Sequence, residues 1–220
     1  MNKKYGLLVD VSYCLGCGVC VVACKQENDL PPRVDDKPTT PGLSWNQVLS
    51  FTEGIYPELS IQYLPLHCMH CQNPPCVGAC PQKAIQKRED GIVFIAKNQC
   101  NACEKQLGGE KKCIPACPYG AIKFNKEKRV AEACTLCLNR IEAGQAPACV
   151  NACIGGALIF GDFNDASSEI SQALLAAKDR AFILKPDKGT GPSIWYISPE
   201  QDKINRLSNI RNGQIIYGSR

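Results

Sequence analysis

Cys14-Leu15-Gly16-Cys17-Gly18-Val19-Cys20-Val21-Val22-Ala23-Cys24 is the stretch that decides the fold. Three thiols crowd one short turn and a fourth follows after three residues. This is the unbroken C-x2-C-x2-C-x3-C run whose thiolates hold a [4Fe–4S] cube. Three further groups repeat its opening C-x-x-C and its closing C-x-x-x-C: Cys68, Cys71, Cys76, Cys80; then Cys100, Cys103, Cys113, Cys117; then Cys134, Cys137, Cys149, Cys153. Together they use all 16 cysteines of the 220-residue chain. At four thiolates per cube none is left over, and the count implies four [4Fe–4S] clusters and hence an electron wire.

Other uses of cysteine fit this spacing poorly. Disulfide frameworks belong to short secreted chains, and no apolar targeting region lies between Met1 and Cys14. Structural zinc takes paired knuckles set far apart, whereas three thiols of the first group share one loop. Oxygen attacks such cubes, which places the chain in a reducing or anaerobic metabolism. Hydrophobic residues make up 45% of the sequence, but the cysteines are counted among them. The remaining core is thin, so bound clusters are expected to drive much of the folding.

The formal charge of +4 invites a nucleic-acid reading. Sixteen thiolates on four cubes of roughly +2 each contribute about −8, leaving the loaded protein at about −4. No nucleic-acid partner is therefore expected. The runs Lys111-Lys112 and Lys126 to Arg129 read as solvated turns. No apolar stretch approaches the roughly 20 residues of a membrane helix, so a soluble chain without a direct membrane span is expected.

An internal repeat surrounds the second and third groups. Pro81-Gln82-Lys83-Ala84-Ile85 leads through a polar turn to Ile92-Val93-Phe94-Ile95, and Pro118-Tyr119-Gly120-Ala121-Ile122 leads similarly to Val130. Each reads as a short cysteine-bearing helix feeding a β-hairpin. Proline after the last cysteine prevents ordinary helix continuation. Cluster turn, short helix and hairpin, repeated, is the plan of a bacterial two-cluster ferredoxin, in which the fourth cysteine of each motif ligates the other motif's cube. Spacing leaves the pairing of motifs open: groups two with three and one with four, or one with two and three with four.

The chain resembles the iron–sulfur (β) subunit of the dimethyl-sulfoxide-reductase family of molybdenum and tungsten oxidoreductases. The resemblance rests on Leu7 to Cys24, Pro65 to Ala84 (PLHCMHCQNPPCVGACPQKA), Cys113 to Ile122, Cys134 to Cys153 and Lys185 to Tyr196 (KPDKGTGPSIWY). It implies the nested pairing. One cluster would take Cys14, Cys17, Cys20 and Cys153, and its neighbour Cys24, Cys134, Cys137 and Cys149. The inner pair would take Cys68, Cys71, Cys76 and Cys117, and Cys80, Cys100, Cys103 and Cys113. It also implies a large molybdopterin- or tungstopterin-containing catalytic subunit as partner, with a membrane anchor or a soluble electron carrier beyond. Two features depart from the family pattern: the nine residues Glu104 to Lys112 between Cys103 and Cys113, expected as a surface excursion, and Ile154 where proline is common.

The expected fold is α+β, with two nested bacterial-ferredoxin-like (βαββαβ-type) modules, a long loop and a C-terminal extension. Residues 1–30 with 131–163 form the outer module, 31–59 a partner-contacting or covering loop, 60–130 the inner module, and 164–220 the extension. In the extension a helix is expected with Ile170, Leu174, Ala177 and Ala181 on one face and Asn164 or Asp165 as its cap. Strands are expected at Phe182 to Leu184 and Ile194 to Ile197. His67 and His70 flank a ligand, and since the cysteines leave no vacancy they read as tuning or packing residues. Arg140 reads as a charge beside a cube or a surface residue, Tyr119 as cluster shielding, and Gly189-Thr190-Gly191-Pro192 as a turn rather than a phosphate loop.

No nucleophile–base pair or pterin site is apparent, so the chain is expected to be non-catalytic by itself, an electron-transfer subunit of an oxidoreductase complex. The alternatives are a free-standing soluble polyferredoxin carrier and a zinc-stabilised scaffold. The expected compartment is the cytoplasm, or the periplasm by co-export with a signal-bearing partner.

Overall fold

A computed structural model describes residues 2–31, 43–103, 108–201 and 204. Part of the expected 31–59 loop, the start of the Glu104 to Lys112 excursion and the end of the C-terminal extension lie outside the described residues. The first half of the chain runs β1 (Tyr5–Asp10), α1 (Val19–Glu27), β2 (Gln47–Ile55), β3 (Glu58–Leu66), α2 (Pro75–Gly78), β4 (Ile85–Lys87) and β5 (Val93–Ile95). The second half runs α3 (Cys113–Ala116), β6 (Lys123–Asn125), β7 (Val130–Glu132), α4 (Leu138–Glu142), α5 (Ala148–Asn151), β8 (Leu158–Asp162), α6 (Glu169–Ala177), β9 (Ala181–Phe182) and β10 (Ile194–Ile197).

Gly6, Leu7, Leu8 and Val9 are all buried, because β1 has a neighbour on each edge and cover on each face. It pairs antiparallel with β8 and parallel with β10, in a sheet ordered β8-β1-β10-β9. Strands buried on both faces read as continuous apolar runs. Alternation sorts the side chains. Leu7, Val9, Ile194 and Tyr196 join the main core with Cys20, Cys71 and Cys149, while Leu8 and Ile197 pack against Ile170 and Ala177 of α6. The sheet thus separates the cysteine-bearing loops from a covering helix.

The two hairpins expected after the second and third groups are present as β4–β5 and β6–β7. Their inward residues Ile85, Val93, Ile122 and Ala131 close around Cys76 and Cys113. The described part of the 31–59 connection is not all loop. Gln47 to Leu66 form a nine-pair antiparallel ribbon, β2 with β3. Its base is buried at Phe51 and Leu64, and its tip exposes Ile55, Tyr56 and Leu59.

The C-terminal helix is capped one turn later than expected. The Ser168 hydroxyl accepts the Ser171 N–H at 3.3 Å, while Asp165 closes its own turn through the Ser167 N–H at 2.8 Å. Ala181 belongs to β9 rather than to the helix, since a 3-10 turn at Lys178–Arg180 ends α6 first. The last strand lies inside the sheet between β1 and β9, not at its margin.

Candidate iron–sulfur sites

The four C-x-x-C loops share one backbone device. The residue before the second cysteine is left-handed in each: Gly16 at φ 67°, His70 at 42°, Ala102 at 55° and Leu136 at 53°. For a non-glycine residue this conformation costs about 1–2 kcal/mol. Only Gly16 announces it in the sequence. The bend turns each loop's thiols and amides inward. Short helices supply five of the eight remaining cysteines: Cys20 and Cys24 lie on α1, Cys76 on α2, Cys113 on α3 and Cys149 on α5.

All sixteen thiols are free, and Cys17 alone is exposed. Their electrostatic neighbours fall into four sets. Cys14 and Cys20 each feel Cys17 and Cys153, and burial lifts the Cys20 thiol to about 11. Cys24 lies by Cys137, and burial lifts it to about 12. Cys149 is raised by burial and then by Cys137 and Cys24, and Cys134 by burial and then by Cys24 and Cys149. Cys68, Cys71 and Cys76 all feel Cys117, with burial lifting Cys71 to about 11 and Cys76 to about 12. Cys113 is lifted to about 11 by burial, beside Cys103, Cys80 and Cys100.

Successive sets adjoin at three junctions. Cys20 neighbours both Cys24 and Cys149, Cys68 neighbours Cys134, and Cys76 packs in one buried group with Cys113. Cys103 lies with Cys80 and Cys100 despite the long excursion that follows it.

Two of the sets line cavities. One is bounded by Cys14, Cys17, Cys20 and Cys153, with Val48, Pro65 and Leu158. Another is bounded by Cys80, Cys100, Cys103 and Cys113, with Ile85, Ile95 and Phe124. Among the described residues, no three His, Cys, Asp or Glu side chains close on a single-ion site, as tetrahedral zinc would require. Four thiols spread around an apolar cavity suit a polynuclear iron–sulfur group, whose iron deprotonates each coordinating thiol outright.

Donors to sulfur are already in place. The Ala131 N–H points to Cys100 Sγ at 3.3 Å, the Leu136 N–H to Cys134 Sγ at 3.4 Å, and the Asn28 amide to Cys24 Sγ at 3.7 Å. Such bonds help set cluster potentials.

His67 and His70 are buried, and burial holds their pKa values down at about 4 and about 3. His70 Nδ1 accepts the Val93 N–H at 3.0 Å, tying the second loop to β5. Arg140 is placed by Glu27 at 3.0 Å and the Ala146 carbonyl at 2.8 Å, and its charge reaches Cys137. Tyr119 packs against the main core, burial lifts its phenol to about 12, and its hydroxyl lies 2.7 Å from that of Thr190.

Lys126 to Arg129 are exposed as expected, but Lys111 instead lies 4.2 Å over the Phe124 ring and lines the second cavity. Glu132 is a residue that motif and spacing do not single out. This buried carboxylate accepts from Trp45 Nε1 at 3.3 Å and pairs with Lys97 at 3.3 Å. Its only sequence signal is an acidic residue two places before Cys134.

Two family models, each described as a 4Fe-4S dicluster domain, match residues 59–163 and 13–84. Matches and thiol sets together define a ferredoxin-like iron–sulfur protein. The chain is 40% identical to the B subunit of tetrathionate reductase from Salmonella typhimurium, over 94% of its own length and 77% of the relative's. It is 35% identical to the B subunit of polysulfide reductase from Wolinella succinogenes (93% and 99% covered) and 33% identical to that of anaerobic dimethyl sulfoxide reductase from Escherichia coli (95% and 98% covered). It belongs to the iron–sulfur B subunits of dimethyl-sulfoxide-reductase-type molybdoenzymes, which transfer electrons and are not themselves catalytic.

Proposed function

We propose that this chain carries four [4Fe–4S] clusters in a single file and relays electrons to or from a molybdopterin- or tungstopterin-bearing catalytic subunit. Cys14, Cys17, Cys20 and Cys153 hold the first cluster and Cys24, Cys134, Cys137 and Cys149 the second. Cys68, Cys71, Cys76 and Cys117 hold the third, and Cys80, Cys100, Cys103 and Cys113 the fourth. The modules are accordingly nested, the inner one inserted between the halves of the outer. The observation that carries this reading is the sorting of sixteen thiols into four neighbourhoods of four, each mixing cysteines from two motifs.

When bound, each cluster takes up and releases single electrons. The chain's own residues hold the thiolates, exclude water with Leu7, Val9, Ile92 and Tyr196, and aim amides at sulfur. The order follows from Cys20 beside Cys149, Cys68 beside Cys134, and Cys76 packed with Cys113. A membrane-anchoring subunit or a soluble carrier takes the other end of the file. The complex works in the cytoplasm, or in the periplasm after co-export with a signal-bearing partner.

Anaerobic native purification with metal analysis is the test. The expected result is a brown complex with about 16 iron per copy of this chain, together with a second polypeptide containing Mo or W. A colourless, zinc-loaded preparation would refute the cluster reading. An iron-loaded, redox-active monomer with no Mo or W partner would refute the subunit reading in favour of a free-standing polyferredoxin.

A further inference from the structure

Asn28 closes the first cysteine-bearing helix and reaches back to its last thiol. Its backbone N–H donates to the Cys24 carbonyl at 3.2 Å, which ends α1. Its side-chain nitrogen donates to the same carbonyl at 2.9 Å and lies 3.7 Å from Cys24 Sγ. A carbonyl oxygen has two lone pairs, so it accepts both bonds. The two ends of an amide are told apart by their partners. Were this amide reversed, its oxygen would face the Cys24 carbonyl oxygen at 2.9 Å, acceptor against acceptor. The carbonyl therefore fixes which end of Asn28 meets the sulfur.

An amide NH2 carries two protons. One goes to the carbonyl, and the second remains for sulfur, whose larger atom accepts at a longer distance than oxygen. Cys24 is buried, so little water competes for that proton. Cys137 feels the same side chain: burial raises its thiol, while the Ala148 backbone and the Asn28 amide hold it down. Cys24 belongs to the first motif and Cys137 to the fourth. One side chain thus serves thiols from the two motifs proposed to share a cluster.

We propose that the second amide proton of Asn28 is a hydrogen-bond donor to the Cys24 thiolate and raises the reduction potential of the cluster that Cys24 holds. The inference rests on the ligand set proposed above, Cys24, Cys134, Cys137 and Cys149. Reduction adds one electron to the cluster, and a donor to a ligand sulfur stabilises the more negative state. Glu27 and Arg140, both felt by Cys137, pair with each other at 3.0 Å, so their charges largely offset. The neutral amide then supplies the directed dipole. Asn28 acts through the ligand sulfur and is a positioning residue.

The experiment is an EPR-monitored redox titration of the anaerobic holoprotein complex, with iron content as the loading check. Cys24→Ser and Cys134→Ser each mark the signal of the cluster they hold. Asn28→Leu keeps the bulk, lacks the N–H and keeps water out. It is expected to lower that cluster's reduced-to-oxidised ratio at a fixed potential about fivefold, a fall of about 40 mV for one electron. Asn28→Asp keeps the shape but sets a carboxylate oxygen where the donor stood, and should lower the ratio by about tenfold or more. Proton ENDOR of the reduced parent should show one exchangeable proton at this cluster, lost in heavy water, that Asn28→Leu lacks. A helix cap alone would produce no such signal. The other clusters keep their potentials.

The proposal is overturned if Asn28→Leu at full iron leaves the ratio within about twofold of the parent, if aspartate raises the ratio, if the exchangeable proton persists without Asn28, or if all clusters move together. Should leucine cost iron, the aspartate variant and the parent's proton spectrum decide. If Cys24→Ser and Cys134→Ser alter different signals, the ligand set fails instead, and the effect of Asn28 is then read on the signal that Cys24 marks.

Discussion

Replacing Gly16 with alanine tests how tightly the first cysteine loop is built. Gly16 sits at φ +67°, and a Cβ placed there would lie 2.3 to 2.5 Å from three ring atoms of Tyr63 on β3. Two costs follow. The left-handed backbone costs alanine about 1–2 kcal/mol, and Ala102 already bears it at φ 55° in the third loop. The overlap with Tyr63 is additional and specific to this loop, and overpacking of this kind costs about 1–3 kcal/mol. The sum is about 2–5 kcal/mol, lost where the hairpin closes over Cys14 and Cys17. Denaturant unfolding of the anaerobic holoprotein, followed by cluster absorbance, measures it. The Tyr63→Ala background supplies the control: there the overlap is gone, and Gly16→Ala should cost only the backbone share. A coupling of about 1–3 kcal/mol between the two sites is expected. Equal costs of Gly16→Ala in both backgrounds would refute the packing argument and leave backbone strain as the whole effect.

Acid should weaken the fold through two histidines. His67 and His70 stay neutral in the fold, with pKa values near 4 and near 3, against an ordinary value of 6.5. Unfolding therefore takes up protons below pH 6.5, and stability falls as pH drops toward 4, by up to about 1.4 kcal/mol per unit for each histidine. Replacing both with glutamine should flatten the denaturant midpoint between pH 7 and 5, and an unchanged slope would count against it. Tyr196→Phe removes a buried hydroxyl that donates to the Pro65 carbonyl at 2.9 Å. The orphaned carbonyl should cost about 1–3 kcal/mol and lower the melting temperature with cluster content unchanged. Ser168→Ala removes the cap of α6 and should cost about 1 kcal/mol in thermal unfolding. Replacing Asn164 instead should not reproduce that loss through the Ser171 amide, because Asn164 does not accept it.

The cysteine spacing makes the class of site legible, since three thiols on one turn already state what they hold. The hairpins after the second and third groups are legible too, because Pro81 and Pro118 stop one element and the polar runs before Ile92 and Val130 turn the next. The β2–β3 ribbon is not. Prolines at 57 and 65 argue against a strand, and burial is confined to its base, at Phe51 and Leu64 to Leu66, too short a stretch to leave a pattern. The three non-glycine left-handed residues, His70, Ala102 and Leu136, carry no local signal either. Their conformation is imposed by the loop's contents rather than by propensity. Thr190 reads in sequence as part of a turn, which is true of its backbone. The loop it closes against, through the Asn73 N–H that its carbonyl accepts, lies more than a hundred residues earlier in the chain.

The proposed ligand sets also bear on the order of assembly. Cys76 and Cys117 lie 41 residues apart, whereas Cys20 and Cys153 lie 133 apart. Closing the longer loop from an open chain costs about 1 kcal/mol more in chain entropy. That difference is small, but the proposed nesting would enlarge it in the inner module's favour. The β4–β5 and β6–β7 hairpins are local and pair three residues to three, so the inner module can gather its thiols without help from either terminus. Once it has done so, the span between Cys24 and Cys134 is no longer free chain, and the outer thiols meet across a preformed block. The outer sheet cannot follow the same local route. Its central strand β1 needs β10, almost the whole chain away, before Leu7 and Val9 are covered on both edges. At Gly191 and Thr190 the C-terminal segment that seals the sheet also accepts the Gln72 and Asn73 amides of the second cysteine loop. Closure of the sheet and fastening of the second cysteine loop are therefore one structural event.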